Sequence, residues 1–139
     1  MANIRQGIID AMEVRFAALS GIERVAVWRV SNLPPTDLPA VLIRDTIDAM
    51  PTDGIGAGRI DHDLTVEITA MFSGTTSPTG AREMIATLIA SIGTDPTWAG
   101  QAYDTILNSA ELDLEDANQL IAAAQISITI RYRSGMWSI

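Results

Sequence analysis

Asp61, His62 and Asp63 place the chain's single histidine between two carboxylates, the residue types of an acid–base centre or a metal site. Their spacing argues against both. Asp61 to Ser73 alternates polar and apolar residues, and a strand's period of two sends His62 to the face opposite Asp61 and Asp63. Groups that cannot meet cannot share an ion or relay a proton. The reading left for His62 is a cap on the buried face near the start of that strand. A serine nucleophile is no better supported, since no Gly-x-Ser-x-Gly elbow is present and one histidine would have to serve any triad. Gly54-Ile55-Gly56-Ala57-Gly58 has glycines but no lysine and no helix after it, so it is neither a Walker loop nor a dinucleotide fingerprint. Glu111 and Asp113, two apart on a strand, share a face, yet nothing apolar surrounds them to raise a pKa, and they read as a solvated acidic face. With no cysteine, thiolate zinc sites, iron–sulfur clusters, disulfides and cysteine nucleophiles are excluded. The expectation is a protein without catalytic residues, metal or cofactor.

Contact chemistry is the alternative. All nine cations are arginines, against seventeen Asp and Glu, for a formal net charge of −8. Arg131 and Arg133 project from one side of the last strand. They are either solvated, paired with nearby acids, or aimed at a second subunit, because guanidinium forks make directional bonds to carboxylates across interfaces. Arg44 precedes a loop from Thr46 to Ile60, and Arg59 stands at its far end. With Arg131 they are the charged contact candidates, to be paired with acids such as Asp45, Asp48, Glu111 or Asp113. Trp98 lies in a loop and Trp137 near the end of the chain. Each is either tucked over a core edge or presented to a partner.

The elements that must carry these residues follow from periodicity. Ile4, Ile8, Ile9, Met12, Phe16 and Leu19 form one stripe at the helical period, with Asn3 as N-cap, Gln6 completing a capping box, and Gly21 as the stop. Short strands are predicted at Arg24 to Val30 and Ala40 to Arg44, separated by a proline-containing loop. Met50 to Gly58 is too rich in glycine for a regular element, and a loop of that size is usually functional or mobile. The Asp61 to Ser73 strand buries its even positions. Ser77-Pro78 opens a second helix carrying Met84, Ile85, Leu88, Ile89 and Ile92, which Gly93 stops. Tyr103 to Leu114 and Leu120 to Arg133 are the last strands, the latter turning Ala124, Ile126, Ile128, Ile130 and Tyr132 inward. The expected architecture is one α+β domain over residues 1–139, in the order α-β-β-β-α-β-β. A mostly antiparallel sheet of about five strands carries two helices on one face.

Composition sets the class of partner. At 47% hydrophobic the chain can build a core, and disorder is disfavoured. A lysine-free, acidic surface is a poor grip on a phosphate backbone, though it does not stop DNA from passing. No segment reaches the length of a membrane span, and the first residues lack the pattern of a signal peptide, so the cytosol is the expected site of synthesis.

Several stretches together carry a family likeness. Leu38-Pro39-Ala40-Val41-Leu42-Ile43-Arg44-Asp45 precedes the glycine-rich loop and then His62-Asp63-Leu64-Thr65-Val66-Glu67-Ile68. Ala81-Arg82-Glu83-Met84-Ile85 leads to Ile92-Gly93-Thr94-Asp95-Pro96-Thr97-Trp98, and Ala124-Gln125-Ile126-Ser127-Ile128-Thr129-Ile130-Arg131-Tyr132-Arg133 follows near the end. The combination resembles the tail terminator proteins of long-tailed bacteriophages, the family of the lambda-type minor tail protein U, over nearly the whole length. That resemblance implies a structural virion protein assembled in the host cytoplasm. It implies a homo-oligomeric ring, expected to be a hexamer, that caps the tail tube protein, stops its polymerisation and offers a surface to the head–tail connector. DNA would be passing cargo only, and no catalytic set is carried over. Two other readings stay open: another head–tail completion or tube-related morphogenesis protein, and a small-molecule-binding α+β domain.

Overall fold

The computed structural model describes residues 3–19, 22, 24–27, 40–50, 55–56, 58–73, 77–116 and 120–135. Helix α1 (Ile4–Ala17) starts where Asn3 accepts the Gln6 backbone N–H at 3.1 Å, and it buries Ile8, Ile9, Met12 and Phe16. The Gln6 side chain turns along the helix to Asp10 instead of back to the cap. Six strands follow the expected chain order, with one short addition: β1 (Arg24–Val27), β2 (Ala40–Ala49), β3 (Ile55–Gly56), β4 (Arg59–Ser73), β5 (Asp104–Asp116) and β6 (Leu120–Gly135). Helix α2 (Ser77–Thr94) lies between β4 and β5.

The sheet runs β1-β2-β4-β6-β5, with β3 folded back on β4 through a turn at Gly58, whose φ is +75°. All pairings are antiparallel except β1 with β2, where Arg24 to Val27 lies in register with Ala40 to Ile43. A parallel pair needs a crossover of about a dozen residues, and 28–39 supplies that length. The long strands β4 and β6 form the centre, registered from Arg59 opposite Gly135 to Ser73 opposite Ile121. Alternation works as read: Leu64, Val66, Ile68, Ala70, Ala124, Ile126, Ile128, Ile130 and Tyr132 all face the helices and are buried. Both helices cover that face, and the core is one cluster from Phe16 and Met12 of α1 through the sheet to Leu88 of α2.

Several boundaries differ from expectation. Strand β2 continues past Arg44 to Ala49, which shortens the expected loop from its front end. Helix α2 runs through Gly93 to Thr94 and ends before Asp95-Pro96, since the residue before a proline disfavours helical dihedrals. The last two strands each run two residues further than the pattern indicates, to Asp116 and Gly135. No described helix is long and apolar enough to cross a membrane.

Candidate functional site

Strand β2 explains where the candidate acids go. Its register against β4 slips between Asp45 and Ile47, a one-residue bulge. A bulge of this kind flips the alternation beyond it. Before it, Val41 and Ile43 face the helices, with Asp45 on the same side. After it Asp48, not Ile47, points inward: the Asp48 side chain is 6% exposed while Ile47 is 61% exposed. A carboxylate is therefore buried where simple alternation would have placed an isoleucine.

That carboxylate organises a polar cluster at one end of the covered face. His62, fully buried, sets Nδ1 2.8 Å from Asp48 Oδ1 and Nε2 2.7 Å from Ser134 Oγ. The Tyr132 hydroxyl donates to Asp48 Oδ2, and its ring stacks on the imidazole at 4.3 Å and 8°. Arg5 of α1 closes the cluster, with Nε 2.6 Å from Asp45 Oδ2 and Nη1 3.6 Å from Asp48. Burial, then the hydrogen bond to Asp48, pushes the Tyr132 phenol far above its ordinary pKa. Serine, histidine and aspartate stand here in the order of a nucleophilic triad. The Ser134 hydroxyl, however, is sealed: the residue is 3% exposed and its Oγ donates to the Gly135 carbonyl at 3.0 Å. Tyr132 covers the imidazole. In this arrangement no substrate reaches the hydroxyl, and the cluster ties α1, β2, β4 and β6 together.

No described helix covers the opposite face of the sheet, and its ion pairs are wet. Arg44 pairs across strands with Glu67, Arg131 Nε lies 3.5 Å from Asp63, and Arg133 holds both oxygens of Asp61 at 2.6 and 3.3 Å. The Arg133 hydrogen bond is the main reason the Asp61 carboxyl sits below the usual aspartate range, and the same bond raises Arg133. The expected pairings are thus redistributed: Asp45 and Asp48 lie on the helix side, and Arg44 and Arg131 use Glu67 and Asp63 within the subunit. Arg59 is exposed at the start of β4, beside Gly135 of β6. Between the charged rows runs a neutral one, Ile47, Thr65, Thr129 and Ile106.

Trp98 belongs to the interior. It is fully buried, meets Phe16 edge-on at 6.2 Å, lies under the Arg15 guanidinium at 4.1 Å and donates from Nε1 to Thr105 Oγ1 at 2.9 Å. Its loop holds three successive left-handed residues, Trp98 (φ +53°), Ala99 (φ +63°) and Gly100 (φ +81°). Non-glycine residues resist that conformation. Asp95 holds it, accepting the Thr97 hydroxyl and the backbone N–H groups of Thr97 and Ala99, bonds that lower its pKa. A tryptophan spent this way has no surface left for a partner, which corrects its place among the contact candidates. Trp137 lies outside the described residues.

The sequence reading of edge strand β5 rests on its acidic end alone. Glu111 is exposed opposite Gln125, and Asp113 pairs in register with Ala123. The strand also exposes Tyr103 just before it, Ile106 and Leu107, at 51%, 36% and 48%. Leu107 borders an apolar groove of about 280 Å³ lined also by Ile89, Ile92, Pro96, Thr105 and Ile128. Its signal in the sequence is Ile106-Leu107, two adjacent apolar residues that cannot both face one core.

With the geometry in place, the chain can be set beside known proteins. No protein-family model and no curated protein matches the sequence. Among solved structures it is similar to a chain from the virion of a native gene transfer agent (GTA) particle, at 10% identity and a TM-score of 0.50, covering 96% of this chain and 100% of that one. The likeness is one of fold. It spans the α+β architecture end to end.

Proposed function

We propose that the protein is a structural virion component, and specifically a ring-forming tail terminator that caps a tail tube, stops its growth and presents a surface for head joining. The observation that carries this reading is the long edge strand β5, left exposed with Tyr103, Ile106 and Leu107 beside an open groove. Folded chains commonly protect such an edge, and closure into a ring removes it. The end-to-end fold likeness to a GTA virion chain supports a virion role, and the sealed Ser134 hydroxyl supports a role without turnover. A net charge of −8 suits a ring through which DNA slides without being held.

Native mass in solution tests the ring. A closed oligomer, six subunits by family likeness, is the expected species at assembly concentrations, and a strict monomer at high concentration with purified tail tubes present would overturn the reading. Electron micrographs of particles lacking the protein test its role. Over-long tails are expected for a terminator, whereas normal tails detached from heads would assign it to head–tail completion.

A further inference from the structure

The sheet ends on two unlike strands. At one end β5 exposes Asp104 and every residue from Ile106 to Glu111, and β6 is its only strand neighbour among the described residues. At the other end stands β1, bonded to β2. Strand directions follow from the pairings: β1 and β2 run together, β4 opposes them, β6 runs with them and β5 opposes them. When a second copy is carried round a cyclic axis along the strands, its β1 meets β5 antiparallel, the more stable pairing.

The faces agree as well. Val25 and Val27 stand in register with the buried Val41 and Ile43, so they lie on the helix-covered side, while Ala26 pairs with Leu42 on the open side. On β5, Leu107 stands opposite the buried Ile128 and borders the groove on the helix-covered side, while Ile106 lies opposite Thr129 on the open side. A β1 strand added to β5 would therefore set its valines beside Leu107 and the groove, and its alanine beside Ile106. Neither face has to turn over.

Charge decides between partners. Strand β5 carries Asp104, Glu111, Asp113, Glu115 and Asp116 and no cation, whereas β1 opens with Arg24. Two β5 edges related by a two-fold axis would set carboxylates against carboxylates, which destabilises cross-strand pairs. A head-to-tail contact sets an arginine against them. We infer that the β5 edge of one subunit takes the β1 edge of a second copy, antiparallel, so that one sheet runs on from subunit to subunit. This contact is heterologous and closes only as a ring. It rests on the ring reading above and names the surfaces that build it.

The absence of cysteine makes the contact directly readable. A disulfide forms only between Cα atoms about 4.4–6.8 Å apart. Ala26→Cys is combined in turn with Ile106→Cys and Ser109→Cys, which share its open side, and with Ala110→Cys, which lies on the helix-covered side and controls for the wrong face. Mild oxidation of at least one pair is expected to give a covalent ladder up to the native ring mass, while each single variant stays monomeric on a denaturing gel. A ring of full native mass in which no pair cross-links, or cross-linking of Ala110→Cys alone, overturns the edge assignment and leaves the ring intact, because Ala110 lies opposite the buried Ile126 on the helix-covered side. A monomer at every concentration overturns both.

Charge reversal gives a second readout, of the register that sets Ala26 beside Ser109 and so Arg24 beside Glu111. Arg24→Glu is expected to raise the concentration for half-assembly about ten-fold or more, a loss of the size seen for complementary interface charges. Adding Glu111→Arg should recover most of it. Arg24→Glu that assembles like the parent overturns the pairing.

Discussion

One sheet carries arginine–carboxylate pairs on both faces, and the two faces treat them in opposite ways. On the helix side Asp48 is 6% exposed and serves His62 and Tyr132 at once, with Arg5 nearby. On the open side Asp61 and Arg133 hold a two-pronged bond, yet the arginine side chain is 50% exposed. Buried polar groups have no water to fall back on, so each lost partner leaves an unsatisfied neighbour. Exposed pairs exchange a partner for water at little loss. The same chemistry therefore fixes the fold on one face and leaves the pairs of the other able to exchange partners at little loss.

The sharpest way to break this contrast is to remove Asp48. Asp48→Ala strips the acceptor from a buried histidine and a buried phenol together, and the expected loss of stability is about 3–5 kcal/mol. Urea unfolding measures it beside Arg44→Ala, whose expected loss is far smaller because its partner Glu67 stays in contact with water. Equal losses in the two variants would show that the faces do not differ.

That central residue is the hardest to read from sequence. Periodicity gives α1, α2, β4 and β6 nearly whole, because each has one apolar face in a single period and the core follows from it. Asp48 escapes that logic, since the bulge after Asp45 reverses the alternation and leaves no mark on residue type. The parallel direction of β1 beside β2 is hidden for a similar reason: four residues carry too little pattern to show a direction. A usable signal is present all the same. His62, Tyr132 and Ser134 occupy buried positions of β4 and β6, and buried polar groups demand partners. The nearest acids outside those two strands are on β2. For Trp98 the missing information is geometric, because only the Asp95-held turn shows the ring folding inward.

Tyr132 sharpens the contrast through pH. Its phenol is held up by burial and then by Asp48, so the folded state keeps a proton that the unfolded chain releases near pH 10. The contribution to stability is full below that pH and is lost as pH rises above it. Tyr132→Phe is expected to cost about 1–3 kcal/mol at neutral pH, the range for leaving a buried hydrogen-bond partner unsatisfied. It should also flatten the fall in unfolding free energy between about pH 9 and 11, on either side of the ordinary phenol value. Some slope should remain, because burial and the charge of Asp61 raise Tyr103 as well. An unchanged alkaline slope would mean that Tyr132 ionises freely in the fold.

The open face supplies the smallest effect and the opposite sign. Asp61 is held below its ordinary pKa, first by the Arg133 hydrogen bond, so its contribution is present above about pH 4 and is lost as pH falls through the folded value. Arg133→Ala removes that bond. At neutral pH the variant should be slightly less stable, by an amount that added salt reduces, and the two stability curves should converge as the solution becomes acidic. Carboxyl titration by NMR checks the cause, with Asp61 expected to move up toward the usual aspartate range in the variant. A pair loosely enough held to show so little effect can also be exchanged at little loss. If Arg133→Ala instead unfolds the protein, the outcome expected of Asp48→Ala, then the fold depends on the open face no less than on the covered one.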